Sequence, residues 1–375
     1  MATPDIVDFG KLLSPIPGGN PAGANLREDI SPKSVYQAIK AARGKARAAE
    51  RKQNEGDRES VADWSPLLDL VPDVIAEKSK DLELAAWLIE ALLRRHGFAG
   101  LRDGFRLARE LVEGFWDGLY PLPDEEGVLS RVAALAGLNG IDGAEGTLIG
   151  PIQNVPLTDE AAAEGPFARW HYRQAADLEA ITDPEKREKR VQSGAVSRRT
   201  IEKAEASSSP EFIRNLFEDL SGCIQEFDRI SALLDERCGK DADGRPLSPP
   251  ASTIRTALKE CLDIAEGNAK ARAPALADAS AQADGGASAG GSASRPGAGS
   301  MRSRDEAFRA LLEVARFFRD TEPHSPVSYA LERAVKWGRM PLPELLTELI
   351  AEEGSRSSVF KLVGIQQPVA EPPPS

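Results

Sequence analysis

Apolar residues recur at intervals of three and four along most of the chain, which is the pattern of amphipathic α-helices. In residues 79–97 they fall at positions 82, 85, 86, 89, 92 and 93. Ser79 or Asp81 can cap the start of this helix, and Gly97 can close its end. A second stripe follows in residues 98–116, so the sequence predicts an antiparallel helical hairpin that turns at a glycine.

The same period continues further along the chain. It predicts a short helix from Leu129 to Asn139, a mostly helical region at 167–206, a long helix that begins at Pro210, and another from Ser252 to Glu266. Residues 150–158 are the one stretch with extended character, and their two prolines indicate a connector rather than a central strand.

Composition divides the chain near its C-terminal end. Residues 267–302 consist almost wholly of Ala, Gly, Ser, Pro and a few charges, which predicts a flexible tether. We therefore expect an all-α protein with a helical domain at 1–150, middle helices at 151–266, this tether, and a small helical domain at 303–375.

The C-terminal piece is short for an independent domain. Ser303 and Glu306 form a capping box at the start of its first helix. A second helix is predicted from Pro326 to about Gly338, and a third from about Pro343 to Ala351. About 70 residues rarely supply more than a few kcal/mol of core stability, so a second copy of the piece would provide the missing burial.

Charge and composition exclude several function classes. The chain has 375 residues, a net charge of −12 and 41% hydrophobic residues, which argues against nucleic acid as the main partner. The basic run at 36–53 is interpreted as a solvated helical face or a flexible connection. The N-terminus has no signal-peptide pattern and no apolar run is long enough for a bilayer, so we expect a cytoplasmic protein without membrane insertion.

Candidate chemistry is sparse. Cys223, Cys238 and Cys261 form no CxxC pair and are predicted to be buried. The three histidines are far apart, so neither a metal nor another cofactor is expected. His324 and Ser325 raise the alternative of a hydrolase, but no GxSxG elbow accompanies them.

The segment around these two residues has a structural interpretation. Pro323 ends one helix, while Ser325 and Pro326 suit the N-cap and first position of the next. Glu322 and Arg333 are predicted to meet across this corner. The hydrolase alternative stays open, and loss of an activity in His324→Ala would support it.

Three blocks of sequence resemble one family. Residues 12–29 resemble the opening of the ImpA N-terminal domain of TssA proteins from bacterial type VI secretion systems, and residues 151–158 also have a counterpart. The block at 63–121 matches at Trp64, Lys80, Asp81, Leu82, Leu88, Gly97, Gly100, Leu101, Trp116, Asp117, Tyr120 and Pro121. The block at 321–340 resembles the C-terminal segment of shorter TssA proteins at Glu322, Pro323, Ser325, Pro326, Arg333, Ala334 and Met340.

The resemblance implies a non-enzymatic assembly factor. TssA-like proteins engage the membrane complex and baseplate, promote polymerisation of the tube and sheath, and form ring-like homo-oligomers of sixfold symmetry through their C-terminal domains. The alternative from another class is a monomeric helical adaptor that binds one partner protein in a groove.

Residue roles follow from the resemblance as hypotheses. Trp116, Asp117, Tyr120 and Pro121 are predicted to fix a helix–loop corner, with Trp116 as ordinary core rather than a partner hot spot. The candidates for the C-terminal core or ring interface are Phe308, Leu311, Phe318, Leu331 and Trp337. If the face of Leu331 is buried, Leu331→Asp should break assembly because it buries an unpaired charge.

Overall fold

A computed structural model describes residues 3–57, 59–125, 127–141, 143–162, 164–283, 304–321 and 326–340, together with Leu345 and Glu348. The chain divides into two compact units, Met1–Gly286 and Ala287–Ser375. Throughout the described residues the secondary structure is helical, apart from isolated backbone pairings such as Gly23 with Ser79. The predicted all-α class is confirmed.

The first unit contains eleven helices in its described residues, with a single 3-10 turn at Leu26–Glu28. They are α1 Phe9–Leu13, α2 Val35–Asn54, α3 Ser65–Glu77, α4 Leu82–Phe115, α5 Val128–Asn139, α6 Ile149–Asn154, α7 Arg169–Glu179, α8 Pro184–Gln192, α9 Arg198–Ser207, α10 Pro210–Cys238 and α11 Ser252–Ala283.

The predicted hairpin lies within α4, which breaks at Gly97. This glycine has a φ of 58°, a left-handed conformation that a residue without a Cβ adopts readily. The two halves fold back on each other so closely that a Cβ on Gly100 would lie 2.4 Å from the carbonyl oxygen of Leu92. A Cβ on Gly104 would meet Ile89 in the same way. The hairpin prediction is confirmed.

One core extends across most of the first unit. The second half of α4 packs on α10, where the rings of Phe105 and Phe227 lie 5.0 Å apart. The thiol of Cys223 donates to the Phe98 carbonyl oxygen at 3.0 Å. The same cluster of buried residues runs from Phe9 to Ala265. Residues on both sides of the expected boundary at 150 therefore share one apolar core.

A second, smaller cluster lies between α7 and α9. Phe167, Ala175, Ile201 and Ala204 form its buried centre. Helix α8 contributes no buried residue, and its sequence is almost entirely charged. Asp183 caps α8 by accepting from the backbone N–H of Glu185.

The second unit contains a pair of antiparallel helices, α12 Arg304–Thr321 and α13 Pro326–Arg339. Arg319 near the end of α12 forms an ion pair with Glu332 on α13 at 2.6 Å. At the other end, the Arg339 guanidinium lies 5.6 Å from the centre of the Phe308 ring. The predicted contact of Glu322 with Arg333 cannot be described, because Glu322 lies outside the described residues. Of the predicted helix at 343–351, Leu345 and Glu348 are described, and both are helical.

Two elements differ from the sequence prediction. Helix α11 continues to Ala283 rather than ending at Glu266, because the alanine that suggested low complexity is also the strongest helix former. Residues 150–154, part of the stretch at 150–158 that was expected to be extended, lie in α6, Ile149–Asn154. Pro151 lies in the first turn of that helix. Backbone N–H groups there have no intrahelical acceptor, so a proline, which lacks the N–H, loses no hydrogen bond.

Candidate functional site

Three separated segments meet in the first unit, namely residues 20–27, 78–83 and 118–121, which we call the N-terminal junction. Backbone hydrogen bonds join them in a ladder. The Lys80 N–H donates to the Ala22 carbonyl at 2.8 Å, and the Tyr120 N–H donates to the Lys80 carbonyl at 2.9 Å. The Leu82 N–H then donates to the Tyr120 carbonyl at 2.7 Å. Two of the three blocks that resemble the family are thus brought together here.

Asp81 is the charged centre of the junction and is fully buried. Its carboxylate caps α4 by accepting from the backbone N–H groups of Glu83 and Leu84. It also accepts a charge-assisted hydrogen bond from Arg27 at 2.5 Å. Arg27 binds Glu83 as well, and Glu83 accepts from the Tyr36 hydroxyl at 2.8 Å. Burial, with the nearby Glu83, raises the pKa of Tyr36 to about 12, so this hydroxyl stays a donor.

Lys80 is also fully buried. Its ammonium donates to the carbonyl oxygens of Leu12 at 2.7 Å and Ile75 at 2.8 Å, near the C-terminal ends of α1 and α3. The ring of Phe115 lies 5.4 Å away, a cation–π distance. Burial lowers the pKa of Lys80 to about 8. The sequence marked Lys80 as a matching position, but only the structure shows that it fastens two helix ends.

Of the four predicted corner residues, Tyr120 and Pro121 belong to the junction, while Trp116 and Asp117 lie beside it. The Tyr120 hydroxyl accepts from the Asn20 amide at 3.3 Å, and Asp117 is exposed. Arg131 donates to the carbonyls of Trp116 at 2.8 Å and Pro121 at 3.0 Å. Its guanidinium also stacks over the half-buried Trp116 ring. These contacts join the end of α4 to α5, and Arg131 was not predicted to take part.

Gly100 and Trp64 lie outside the junction. Gly100 belongs to the α4 hairpin. Trp64 precedes α3 and is only 6% exposed. The Arg94 guanidinium lies 4.1 Å from the Trp64 ring centre, and Arg94 forms an ion pair with Glu50 at 2.8 Å. Glu50 belongs to the basic run, so helix α2 packs on the body of the unit rather than forming a flexible connection.

A row of ion pairs between α4 and α10 was not predicted. Arg102 donates to Asp219 at 2.6 Å, and Arg109 donates to Glu226 at 2.7 Å. Thr3 also donates to Asp219, which ties the start of the chain to α10. Arg102 and Arg109 are seven residues apart, as are Asp219 and Glu226, and residues at this spacing share one helix face. The sequence therefore contained a signal for two charged helix faces.

The C-terminal candidates lie on the helix pair of the second unit. Phe308, Leu311, Phe318, Leu331 and Trp337 are half-buried there. Among the residues of this unit whose burial is described, Ala315, Ser328 and Val335 are buried. Val314 is 44% exposed, while Phe317 and Tyr329 are each 62% exposed. Arg333 stacks over Trp337, and Pro326 begins α13. Glu322, Pro323 and Ser325 lie outside the described residues.

Reactive chemistry is not assembled in the described part of the chain. All three thiols are buried as predicted, and burial raises the pKa of Cys238 to about 11 and of Cys261 to about 12. Among the described residues no group of three His, Cys, Asp or Glu side chains could hold a metal ion. His324, the centre of the hydrolase alternative, lies outside that part. The helices that the structure describes include none with the length and apolarity to cross a membrane.

Comparison with known proteins agrees with this architecture. The family described as "ImpA, N-terminal, type VI secretion system" matches residues 13–140, which include the whole N-terminal junction. The type VI secretion system component TssA1 of Pseudomonas aeruginosa is 26% identical over 354 residues, covering 92% of this chain and 96% of TssA1.

A solved structure supports the same assignment. It is the N-terminal domain, including the conserved ImpA_N region, of the TssA component from Burkholderia cenocepacia. The TM-score is 0.58 at 26% identity, with 71% of this chain and 94% of that chain covered. Residues 13–140 therefore form an ImpA N-terminal domain, and over most of its length the chain is similar to TssA components of type VI secretion systems.

Proposed function

We propose that the chain is a non-enzymatic, cytoplasmic assembly component that self-associates through its second unit into a ring of sixfold symmetry. The exposed apolar side chains of α12 and α13 carry this proposal. Val314, Phe317 and Tyr329 are 44–62% exposed in the single chain. Covering such side chains with a second copy removes apolar area from water, which favours association.

In this proposal the first unit projects from the ring and engages other components. Its core is complete without a second copy, since the buried cluster extends from Phe9 to Ala265. The sequence between the units has the composition of a tether. Tethered units held at one ring meet their partners at a high effective concentration. The partners we propose are proteins of the membrane complex, baseplate, tube and sheath.

Sheath assembly in the bacterium that encodes this chain tests the proposal. The sheath subunit is labelled with a fluorescent protein, and the gene for this chain is replaced by variants. We expect elongating sheaths with the wild-type chain, few or none with Phe317→Asp/Tyr329→Asp, and normal sheaths with the exposed-charge control Arg316→Glu. Normal sheath elongation in cells that lack the chain would overturn the proposal.

A further inference from the structure

A groove of about 830 Å³ opens beside the break in α4 at Gly97. Its volume lies within the range of about 300–1,000 Å³ that is typical of ligand sites. Six parts of the first unit form its walls: residues 3–6, Glu50 of α2, the segment before α3, residues 93–99 of α4, residues 151–160, and the first turns of α10. All of its lining residues belong to the first unit, and none of them belongs to the N-terminal junction.

The groove has an apolar floor and a polar rim. Trp64, Leu93, Phe98 and Leu216 are buried among its lining residues. Arg95, His96, Asn154 and Glu160 are exposed along it. An apolar floor with a few convergent polar groups is the usual composition of a binding site.

Several hydrogen-bonding groups in the groove lack protein partners. The indole N–H of Trp64 is buried and donates to no acceptor. The amides of Asn154 and Asn215 make no hydrogen bond with the described residues. In contrast, Asn139 in the core of the unit accepts from the Ile254 N–H at 2.9 Å. A buried donor without a partner is rare in folded proteins, but this N–H is enclosed, so the amides of Asn154 and Asn215 are the unpartnered groups that a ligand in the groove can reach.

The charges of the lining define what can enter. Glu50 is paired with Arg94, and Asp219 is paired with Arg102. Arg95 and Glu160 have opposite signs and form no ion pair within the described part of the chain. A nucleic acid or a phosphate group would require an excess of positive charge. A segment that carries both an acidic and a basic side chain complements this rim.

We propose that this groove binds an extended peptide segment of a partner protein. Side-chain amides such as those of Asn154 and Asn215 present a donor and an acceptor together, which matches the main chain of an extended peptide. An acidic side chain of the peptide pairs with Arg95, a basic one pairs with Glu160, and apolar side chains lie on Trp64. The inference rests on the proposed function, because it gives the first unit a means of engaging another assembly component.

The test begins with peptides rather than with a guessed partner. A phage-displayed library of random 12-residue peptides is selected on the immobilised full-length chain. The most enriched peptide is synthesised with a fluorescent label, and its Kd is measured by anisotropy. We expect the selected peptides to share an acidic residue. We expect Asn215→Ala and Arg95→Glu each to weaken binding about tenfold or more, as loss of a hydrogen bond to a charged or buried group does.

Matched controls lie on the exposed side of α10. Gln225→Ala controls for the amide deletion and Arg214→Glu for the charge reversal, and both should leave the Kd unchanged. A peptide in which the acidic residue is replaced by lysine should regain affinity for Arg95→Glu, which identifies the ion pair directly. The melting temperature of each groove variant is measured and should equal that of the wild type. A loss of binding then does not result from a loss of folded structure.

The inference is overturned if no peptide sequence is enriched, or if the selected peptides bind the groove variants and the wild type equally. These results are distinct from failure of the proposed function. The oligomer mass of each groove variant is measured in parallel and should equal that of the wild type. A chain that assembles but binds no peptide in the groove contradicts this inference alone.

Discussion

Helix α4 and the helix pair α12–α13 have similar amphipathic sequences, but their apolar residues meet different surroundings. In α4 the large apolar side chains from Leu82 to Val112 are buried against α3, α5 and α10. In the pair, Phe317 and Tyr329 are each 62% exposed, and most other large apolar residues are half-buried. Helix α4 is thus enclosed within its own unit, whereas the helix pair leaves apolar surface exposed, which a second copy covers in the assembly that we propose.

The largest effect on this comparison is expected at the N-terminal junction. Asp81→Ala removes the cap of α4 and leaves Arg27 facing Glu83 alone. Breaking a buried pair by removing one partner costs about 3–5 kcal/mol in free energy of unfolding. Urea unfolding of the full-length chain measures this loss. The control is Asp117→Ala, an exposed carboxylate nearby, which should change stability by less than about 0.5 kcal/mol. Equal losses in both variants would contradict the role of Asp81.

A smaller effect is expected inside the α4 hairpin. Gly100→Ala places a methyl group 2.4 Å from the Leu92 carbonyl oxygen, so the two halves must separate. Such overpacking costs about 1–3 kcal/mol. Gly114→Ala is the matched control on the same helix, because a Cβ there meets nothing within 4 Å. Helix propensity predicts a gain of about 0.5–1 kcal/mol for that control. If both substitutions changed the melting temperature in the same direction, the close approach of the two halves would be disproved.

The buried Lys80 of the junction predicts that stability depends on pH. The pKa of Lys80 is lowered from 10.5 to about 8 in the folded chain by burial. Between these values the unfolded chain binds the proton more often, so this lysine makes stability rise from pH 8 to about 10.5. The stability of the wild type minus that of Lys80→Met should therefore increase across this window. Lys78→Met, at an exposed neighbour, is measured as the control, and a flat difference for Lys80→Met would refute the shift.

Much of the fold could be predicted from periodicity. The α4 hairpin and α5 follow directly from apolar spacing and glycine positions, because these signals are local. The length of α11 could not, since an alanine-rich sequence suits both a tether and a helix. The contact of Lys80 with Leu12 could not be predicted either, because 68 positions separate the two residues. The contacts of Arg131 cross a loop, and their geometry depends on how that loop folds. The spacing of Arg102 and Arg109 in the sequence indicates a charged face on α4. The sequence does not show that this face packs on the helix that carries Asp219.

The mass of the full-length chain in solution tests the central claim most directly. Light scattering on a sizing column is applied to the wild type, to Phe317→Asp/Tyr329→Asp and to the control Arg316→Glu. The account predicts a closed oligomer of the 40.3 kDa chain for the wild type and the control. It predicts a monomer for the double variant, with unchanged unfolding of the first unit. A monomeric wild type would favour the adaptor, and an unchanged mass in the double variant would contradict assembly through this helix pair.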